Sequence, residues 1–321
     1  MPGIDNTFQG REEKFRMVRE DSYGTLPGSP TWQDVPYLED GLDLGGAREH
    51  YRPDLNVGVG HQADQVVIPH RDTPDGALTT LPFPEIAGML LDAGLERDPD
   101  GDLYSYQAEH YTPVDPRRYT GLVVNTLTIT ATGTGDGDVQ FELDFMGRSQ
   151  EADDSIAQSD FDYEASLTLV PFMFRDASLY LQDEEVADIE EWTLTVENDL
   201  AEGPIIGDHR GYIEAQGRSI SLEMTKVHHN DGFRQAARDG LTVVFEADFS
   251  HPNGHYMSIK IPRLFVPETS EDDTPSTLVK ESPTMEAARD SEYGYDIDWG
   301  VDLGPTTTTV ADITTTSSYF S

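Results

Sequence analysis

In run after run of this chain an apolar residue returns at every second position, and that period commits those runs to half-buried β-strands. In "VQFELDF", Val139, Phe141, Leu143 and Phe145 share one face while Gln140, Glu142 and Asp144 share the other. "ISLEMTK" repeats the pattern with Ile220, Leu222 and Met224, and "LTVVFEADF" with Leu241, Val243, Phe245, Ala247 and Phe249. "HYMSIKIP" adds Met257, Ile259 and Ile261 before Pro262 closes the run. Threonine-rich "TLTITAT" and "WTLTVEN" carry the β-branched content of strands. One apolar face and one polar face per strand describe antiparallel sheets that are wet on one side. Helical period is scarce. "FPEIAGMLLDAGLE" sets Pro84 in a first turn, Ile86, Met89 and Leu90 on one face, and Gly94 as a stop. "DGFRQAARDG", between Asp231 and Gly240, is a second helix candidate. The expected class is all-β with one short α-helix.

An internal echo bears on how the strands are arranged. "TLTIT" from Thr126 is followed by "GRS" at Gly147, and "TLTVE" from Thr193 by "GRS" at Gly217. A duplication would imply two similar sheet halves packed face to face as a sandwich. Short threonine-rich words also recur by chance.

Charge narrows the function. The chain holds 61 acidic residues against 21 basic ones, a formal charge of −40. Such a surface repels nucleic acid rather than neutralising its phosphates. Only Lys14, Lys226, Lys260 and Lys280 are lysines. That scarcity favours a protein adapted to high salt, where self-repulsion is screened. No cysteine is present, which excludes disulfides and thiolate metal sites. The first residues lack an apolar signal segment, and "LTLVPFMF" is too short to span a bilayer, so neither export nor a membrane partner is expected.

No catalytic pattern is present: there is no Gly-x-Ser-x-Gly elbow, phosphate loop or dinucleotide fingerprint. "TGTGDGD" (132–138) links two strand patterns, and its aspartates would repel phosphate, so it reads as a hairpin turn. One metal-ligand candidate exists, Asp98, Asp100, Asp102 and Glu109, whose spacing approaches that of a calcium loop. Its glycine, Gly101, falls ahead of the sixth position, where Leu103 sits, and no helix pair flanks it; an acidic turn is the simpler reading. His228–His229 and "HPNGH" lack the helical spacing of a zinc pair and read as turn or surface histidines. No cofactor is expected.

The order of landmarks from Phe15 to Tyr293 resembles that of the major tail tube proteins of long-tailed bacteriophages and archaeal viruses. "REDSYGTLPGSP" is similar to the family's opening strand and proline elbow, and "LPFPEIAGMLLDAGLE" to its single helix. "WTLTVENDL" resembles the strand that ends at an asparagine, here Asn198, and "GYIEAQGRSISLEMT" the strand pair that follows. "HYMSIKIPRLFV" is similar to the closing strand with its Pro262, and "SPTMEAARDSEYG" to the final edge strand.

The resemblance implies a two-sheet β-sandwich subunit, with no catalytic residues, that forms stacked and usually hexameric rings around a hollow lumen. It implies partners in further copies of itself and in tape measure, tail terminator and distal tail proteins. Viral DNA would pass without specific binding. Location would be the virion tail, assembled in the host cytoplasm. The expected layout is an N-terminal arm (1–14), a sandwich domain (15–290) and a Thr-rich extension (291–321). A long loop, about 39–75, would reach the next ring, with Asp43, Arg48, Tyr51, Arg52 and His61 as stacking candidates. The elbow would redirect the chain into that loop. Glu142, Asp144 and Glu223, polar alternates of core strands, are the lumen-facing candidates. Rival readings are a capsid-decoration protein, pilus-like subunit or surface-layer module, and a cation-dependent carbohydrate-binding module or glycosidase built on the Asp98–Glu109 stretch.

Overall fold

The structure is a computed structural model and describes residues 13–303 apart from 46–48, 52–67, 72, 99–100, 134–136, 164–166, 168–169, 183, 206–207, 228–238, 273–279 and 289–295. The chain opens with β1 (Lys14–Arg19), β2 (Gln33–Asp34), β3 (Leu42–Gly45), β4 (Glu49–Tyr51), β5 (Ile68–Arg71) and β6 (Asp75–Thr80), then forms α1 (Pro84–Leu95). β7 (Tyr106–Tyr111), the long β8 (Arg117–Thr132), β9 (Val139–Met146) and β10 (Ser149–Ala152) follow. Single 3-10 turns at Gln158–Asp160 and Phe174–Asp176 lead to β11 (Ala177–Leu181) and β12 (Glu184–Glu185). The second half runs β13 (Ile189–Glu197), β14 (Leu200–Ile205), β15 (Asp208–Ala215), β16 (Ser219–Val227), β17 (Thr242–Ser250), β18 (Tyr256–Asp272), β19 (Lys280–Ala287) and β20 (Asp298–Asp302).

Sixteen strands share one antiparallel ladder with the path β12-β11-β17-β18-β19-β16-β13-β8-β7-β1-β2. β9, β6 and β3 branch in turn from β8, while β10 adds to β8 and β20 to β18. The ladder folds over on itself. β13 and β17 stand four strands apart on the path, about 19 Å in a flat sheet. Yet the Trp192 ring of β13 lies 5.6 Å from that of Phe245 and 6.3 Å from that of Phe249, both on β17. Two layers therefore face each other across a single core, as in a sandwich. They stay one ladder because β8 and β18 are long enough to serve two sets of partners. Arg117–Leu122 of β8 pairs with β7 and β10, and Val123–Thr132 pairs with β9 and β13.

The alternating residues behave as their period requires. Phe141, Leu143, Leu194, Leu222, Phe245, Ile259 and Ile261 are fully buried in one cluster. Two details of the pattern are corrected. Leu241 lies outside β17 and is 54% exposed, because the strand begins at Thr242. Pro262 does not close β18; the register slips between Ile261 and Leu264, and that bulge accommodates a residue without an N–H.

α1 sits against β8, β18 and β20 and is buried nearly all round. Gly94 is not its stop: the helix runs on to Leu95, and a Cβ on Gly94 would stand 2.7 Å from the Leu127 side chain. Two side chains from elsewhere satisfy its last carbonyls. Buried Asn198 donates to the Gly94 carbonyl (3.0 Å), and Arg218 donates to that of Leu95 (2.6 Å) and to the Asn198 Oδ1 (3.1 Å). The strand-ending asparagine thus ties helix, β8 and β13 together. Residues 228–238, most of the second helix candidate and the His228–His229 pair, lie outside the described residues.

The echoing segments are not stacked face to face. They are antiparallel neighbours in one sheet, with Thr193 opposite Thr130 and Thr195 opposite Thr128. β20, which pairs with Tyr256–Lys260 of β18, falls within the stretch 291–321. No described helix is long and apolar enough to cross a membrane.

Candidate functional surface

The β9, β8, β13, β16 and β19 strands turn one face to the core and the other outward, and the register aligns the outward residues in cross-strand rows. One row reads Thr79, Glu142, Thr128, Thr195, Ser221 and Glu286. The next reads Gln140, Thr130, Thr193, Glu223 and Thr284. Glu142 and Asp144 of β9 and Glu223 of β16 are therefore exposed on the same sheet face. No residue of either row is basic. A shallow open depression beside Glu223 is lined by Glu191, Thr193, Thr225, Ser282 and Thr284. Partial burial at the strand surface raises the Asp144 carboxyl above its ordinary value, so crowding already disfavours its charge.

The outward face of β17 and β18 differs. There Lys260 Nζ meets Glu246 Oε2 at 2.7 Å. Burial raises the Asp248 carboxyl above its ordinary value, and Tyr256 on β18 opposes that rise. The two rows of the β9-to-β19 face through Glu142 and Glu223 hold hydroxyls and carboxylates and no cation.

The elbow is held by a buried acid. Ser22–Thr25 closes a tight turn, with Thr25 N–H to Ser22 O at 2.7 Å. Glu20, 5% exposed, accepts hydrogen bonds from Gly24 N–H (2.7 Å), Gly121 N–H (3.0 Å) and the Ser105 hydroxyl (2.6 Å). Burial raises its pKa; those hydrogen bonds and the Arg148 charge oppose the rise. Gly24 and Gly121 have φ of +75° and +66°, and a Cβ on Gly121 would crowd Arg148 and Tyr23. Two of the three donors to Glu20, the Gly24 and Gly121 N–H groups, come from a backbone that only glycine adopts readily.

From the elbow the chain passes through β2 into β3, which is strand rather than loop and pairs with β6. Gly45 and Asp75 stand opposite each other, so residues 46–74 leave and rejoin the body at one place. Within them β4 and β5 pair only with each other among the described strands. Asp43 is exposed on β3, and Tyr51 ends β4; Arg48, Arg52 and His61 lie outside the described residues.

The metal-ligand candidate is not assembled as its spacing suggested. Asp98 accepts the Asp102 N–H at 2.9 Å in a tight turn, whereas Glu109 lies buried on β7 with both oxygens on arginines. Arg16 Nε reaches Glu109 Oε2 at 2.7 Å, and Arg118 Nη2 reaches Oε1 at 2.7 Å. Asp100 lies outside the described residues, and none of the described ones form a group of three or more carboxylates or imidazoles suited to a metal. The "HPNGH" stretch is a turn, but its histidines are not on the surface: His251 and His255 are each 4% exposed, with rings 5.5 Å apart.

The residue that sequence reading missed is Arg210. Its side chain is 3% exposed and carries Asp75 at 2.6 Å, the Gly147 carbonyl at 2.8 Å, and Glu202. A lone arginine in a short strand has no local signature, and Asp75 is 135 positions away.

A family model described as phage tail tube protein matches residues 10–301 of the chain. No curated protein matches it.

Proposed function

The chain belongs to the phage tail tube protein family, and from that premise we propose that it closes into rings, hexameric as in the family's usual plan, which stack into the conduit for DNA ejection. It is a structural component of the virion tail. The β9-to-β19 face lines the lumen in this reading. The observation that carries it is the contrast between the two outer faces: one pairs Glu246 with Lys260, whereas the two rows through Glu142 and Glu223 hold hydroxyls and carboxylates with no cation among them. A wall of that kind repels phosphate along its whole length and offers DNA no place to stick.

Ring closure also accounts for the open ladder, since β12 and β2 end its path and neighbouring copies would cover such edges. Residues 46–74, rooted between Gly45 and Asp75, are the segment proposed to reach the adjacent ring, with Asp43 at their base. Tape measure, terminator and distal tail proteins are the proposed further partners. With −40 charges per copy, assembly needs ions between subunits, which fits a high-salt host.

Electron microscopy of the purified protein in molar salt tests the assignment. Wild type should form hollow tubes. A variant in which a two-residue turn replaces residues 46–74 keeps β3 and β6 paired, and should stop at single rings. Tubes of normal length from that variant would sink the stacking role.

A further inference from the structure

The β14–β15 hairpin shares its ladder with no other described strand. At its root, Leu200 N–H donates to Asn125 Oδ1 at 3.1 Å. Farther up, the Arg210 side chain joins it to the body. Arg210 Nη1 donates to Asp75 Oδ1 (2.6 Å) and to the Gly147 carbonyl (2.8 Å), and Nη2 donates to Asp75 Oδ2 (3.2 Å). Its Nε donates to Glu202 on the opposite hairpin strand. The Arg210 carbonyl accepts the Tyr23 hydroxyl of the elbow at 3.2 Å. Gly147, in turn, donates its N–H to the Pro74 carbonyl at 2.7 Å. Three separate parts of the chain thus meet at one buried guanidinium, the hairpin, the β9–β10 turn and the start of β6 at Asp75, while the elbow reaches the same residue through its backbone carbonyl.

The chemistry requires arginine. A planar fork can take a carboxylate through two nitrogens while its Nε faces a second acid; an ammonium is a single point and cannot. Removing the cation would take from Asp75 and Glu202 the positive charge that both now face. The guanidinium is only 3% exposed, while its partners Asp75 and Glu202 keep 55% and 29% of their side chains open to solvent.

We propose that Arg210 is a positioning residue for assembly: it clamps the β14–β15 hairpin to the Gly45–Asp75 end of β3 and β6, so that hairpin and strand end are presented to a second copy of this chain from one fixed base. The proposal rests on the ring-stacking reading above. Gly76 supports a root of defined shape. Its φ is +153°, and a Cβ there would stand 1.7 Å from the Asp43 carbonyl oxygen, so β3 and β6 approach more closely than any other residue allows.

The test combines amide hydrogen exchange on the full-length subunit with microscopy of its assemblies, for Asp75→Asn, Glu202→Gln, Arg210→Lys and Arg210→Ala. Asp75 is not in the hairpin, yet Asp75→Asn should speed exchange of the β14–β15 amides by about tenfold, as expected when local opening replaces a clamped state. Glu202→Gln should do the same at the Gly45–Asp75 end of β3 and β6. Exchange in β13 and β16 should not change in either variant. Arg210→Lys should fail to restore slow exchange, and Arg210→Ala should give single rings or short stacks. Effects confined to the mutated element would overturn the clamp. Cross-element effects with tubes of normal length would overturn its role in assembly. If wild type formed no tubes, the ring reading would fall with that role, and the exchange pattern would still decide whether Arg210 joins the two elements.

Discussion

On the sheet face of β9, β8, β13 and β16, Glu142, Asp144 and Glu223 look outward among threonines and serines. On β7, which pairs with the Arg117–Leu122 half of β8, Glu109 is buried between Arg16 and Arg118, and Arg118 also holds Asp153 at 2.9 Å. The strands are alike, and so are the carboxylates. What differs is where the arginines went. At Glu109 they fasten parts of the chain that the ladder alone does not unite: Arg16 also donates to the Asp160 carbonyl at 2.7 Å and lies over the rings of Trp32 and Phe161. At Arg210 the same device fastens the hairpin. In a chain with three acids for every base, cations are scarce enough that their placement is informative. Arg16, Arg118 and Arg210 sit at junctions, and the two rows through Glu142 and Glu223 have no cation.

The largest test of that contrast removes one acid from each region. Glu109→Gln would leave two arginines facing a neutral amide in a buried site, and should cost about 3–5 kcal/mol. Glu223→Gln removes an exposed charge with no cation in its row and should shift stability by less than about 0.5 kcal/mol. Urea unfolding of the two variants measures the difference; equal losses would mean that the open face is also fastened.

A second test reverses the open face. Glu142→Lys, Asp144→Lys and Glu223→Lys together leave the apolar alternates untouched, so tubes should still assemble. Each new phosphate contact should steepen the fall of log affinity with log salt by about 0.9. Duplex DNA should therefore be retained by the variant tubes at low salt and released at high salt, and virions carrying the change should eject slowly until salt is added. Wild-type ejection at every salt concentration would place these residues away from the channel.

The smallest effect lies between the two regions, at an acid that is buried but only partly fastened. Asp92 on α1 is 2% exposed; its Oδ2 accepts the Tyr106 hydroxyl and lies 3.4 Å from Arg19 Nη1. Burial raises its pKa, and the Tyr106 hydrogen bond and Arg19 charge lower it only in part. A carboxyl whose folded pKa is raised keeps a proton that the unfolded chain has released, so wild-type stability should fall as pH climbs from about 4, the unfolded value, to the raised one. Asp92→Asn cannot ionise. Relative to wild type it should gain stability across that window and then level off. Parallel stability curves for the two proteins would show that Arg19 fastens Asp92 as fully as Glu109 is fastened.

Period two in "VQFELDF", "ISLEMTK" and "LTVVFEADF" was enough to assign strands and core faces, because a strand's side chains alternate whatever its neighbours are. The helix was equally legible from Pro84 and its apolar spacing, apart from its end. Gly94 misled because a glycine that admits a neighbouring side chain looks the same in sequence as one that ends a helix. Candidates chosen from β9 and β16 reached one sheet face only through the register of β8 and β13 between them, which period alone does not specify. Glu109 misled in the other direction: its spacing from Asp98 is local, but its partners Arg16 and Arg118 come from other strands.

The sequence by itself determined which residues turn inward on each strand and that the chain's surface is overwhelmingly acidic, since both follow from local alternation and from composition. Tertiary structure alone decided that the echoing threonine strands are neighbours rather than stacked halves, that residues 46–74 leave and return at one point, and which acids receive an arginine. The physical reason is that pairing, folding over and burial of charge are relations between positions far apart in the chain, as Arg210 and Asp75 are, and their energies depend on distances that no local pattern encodes.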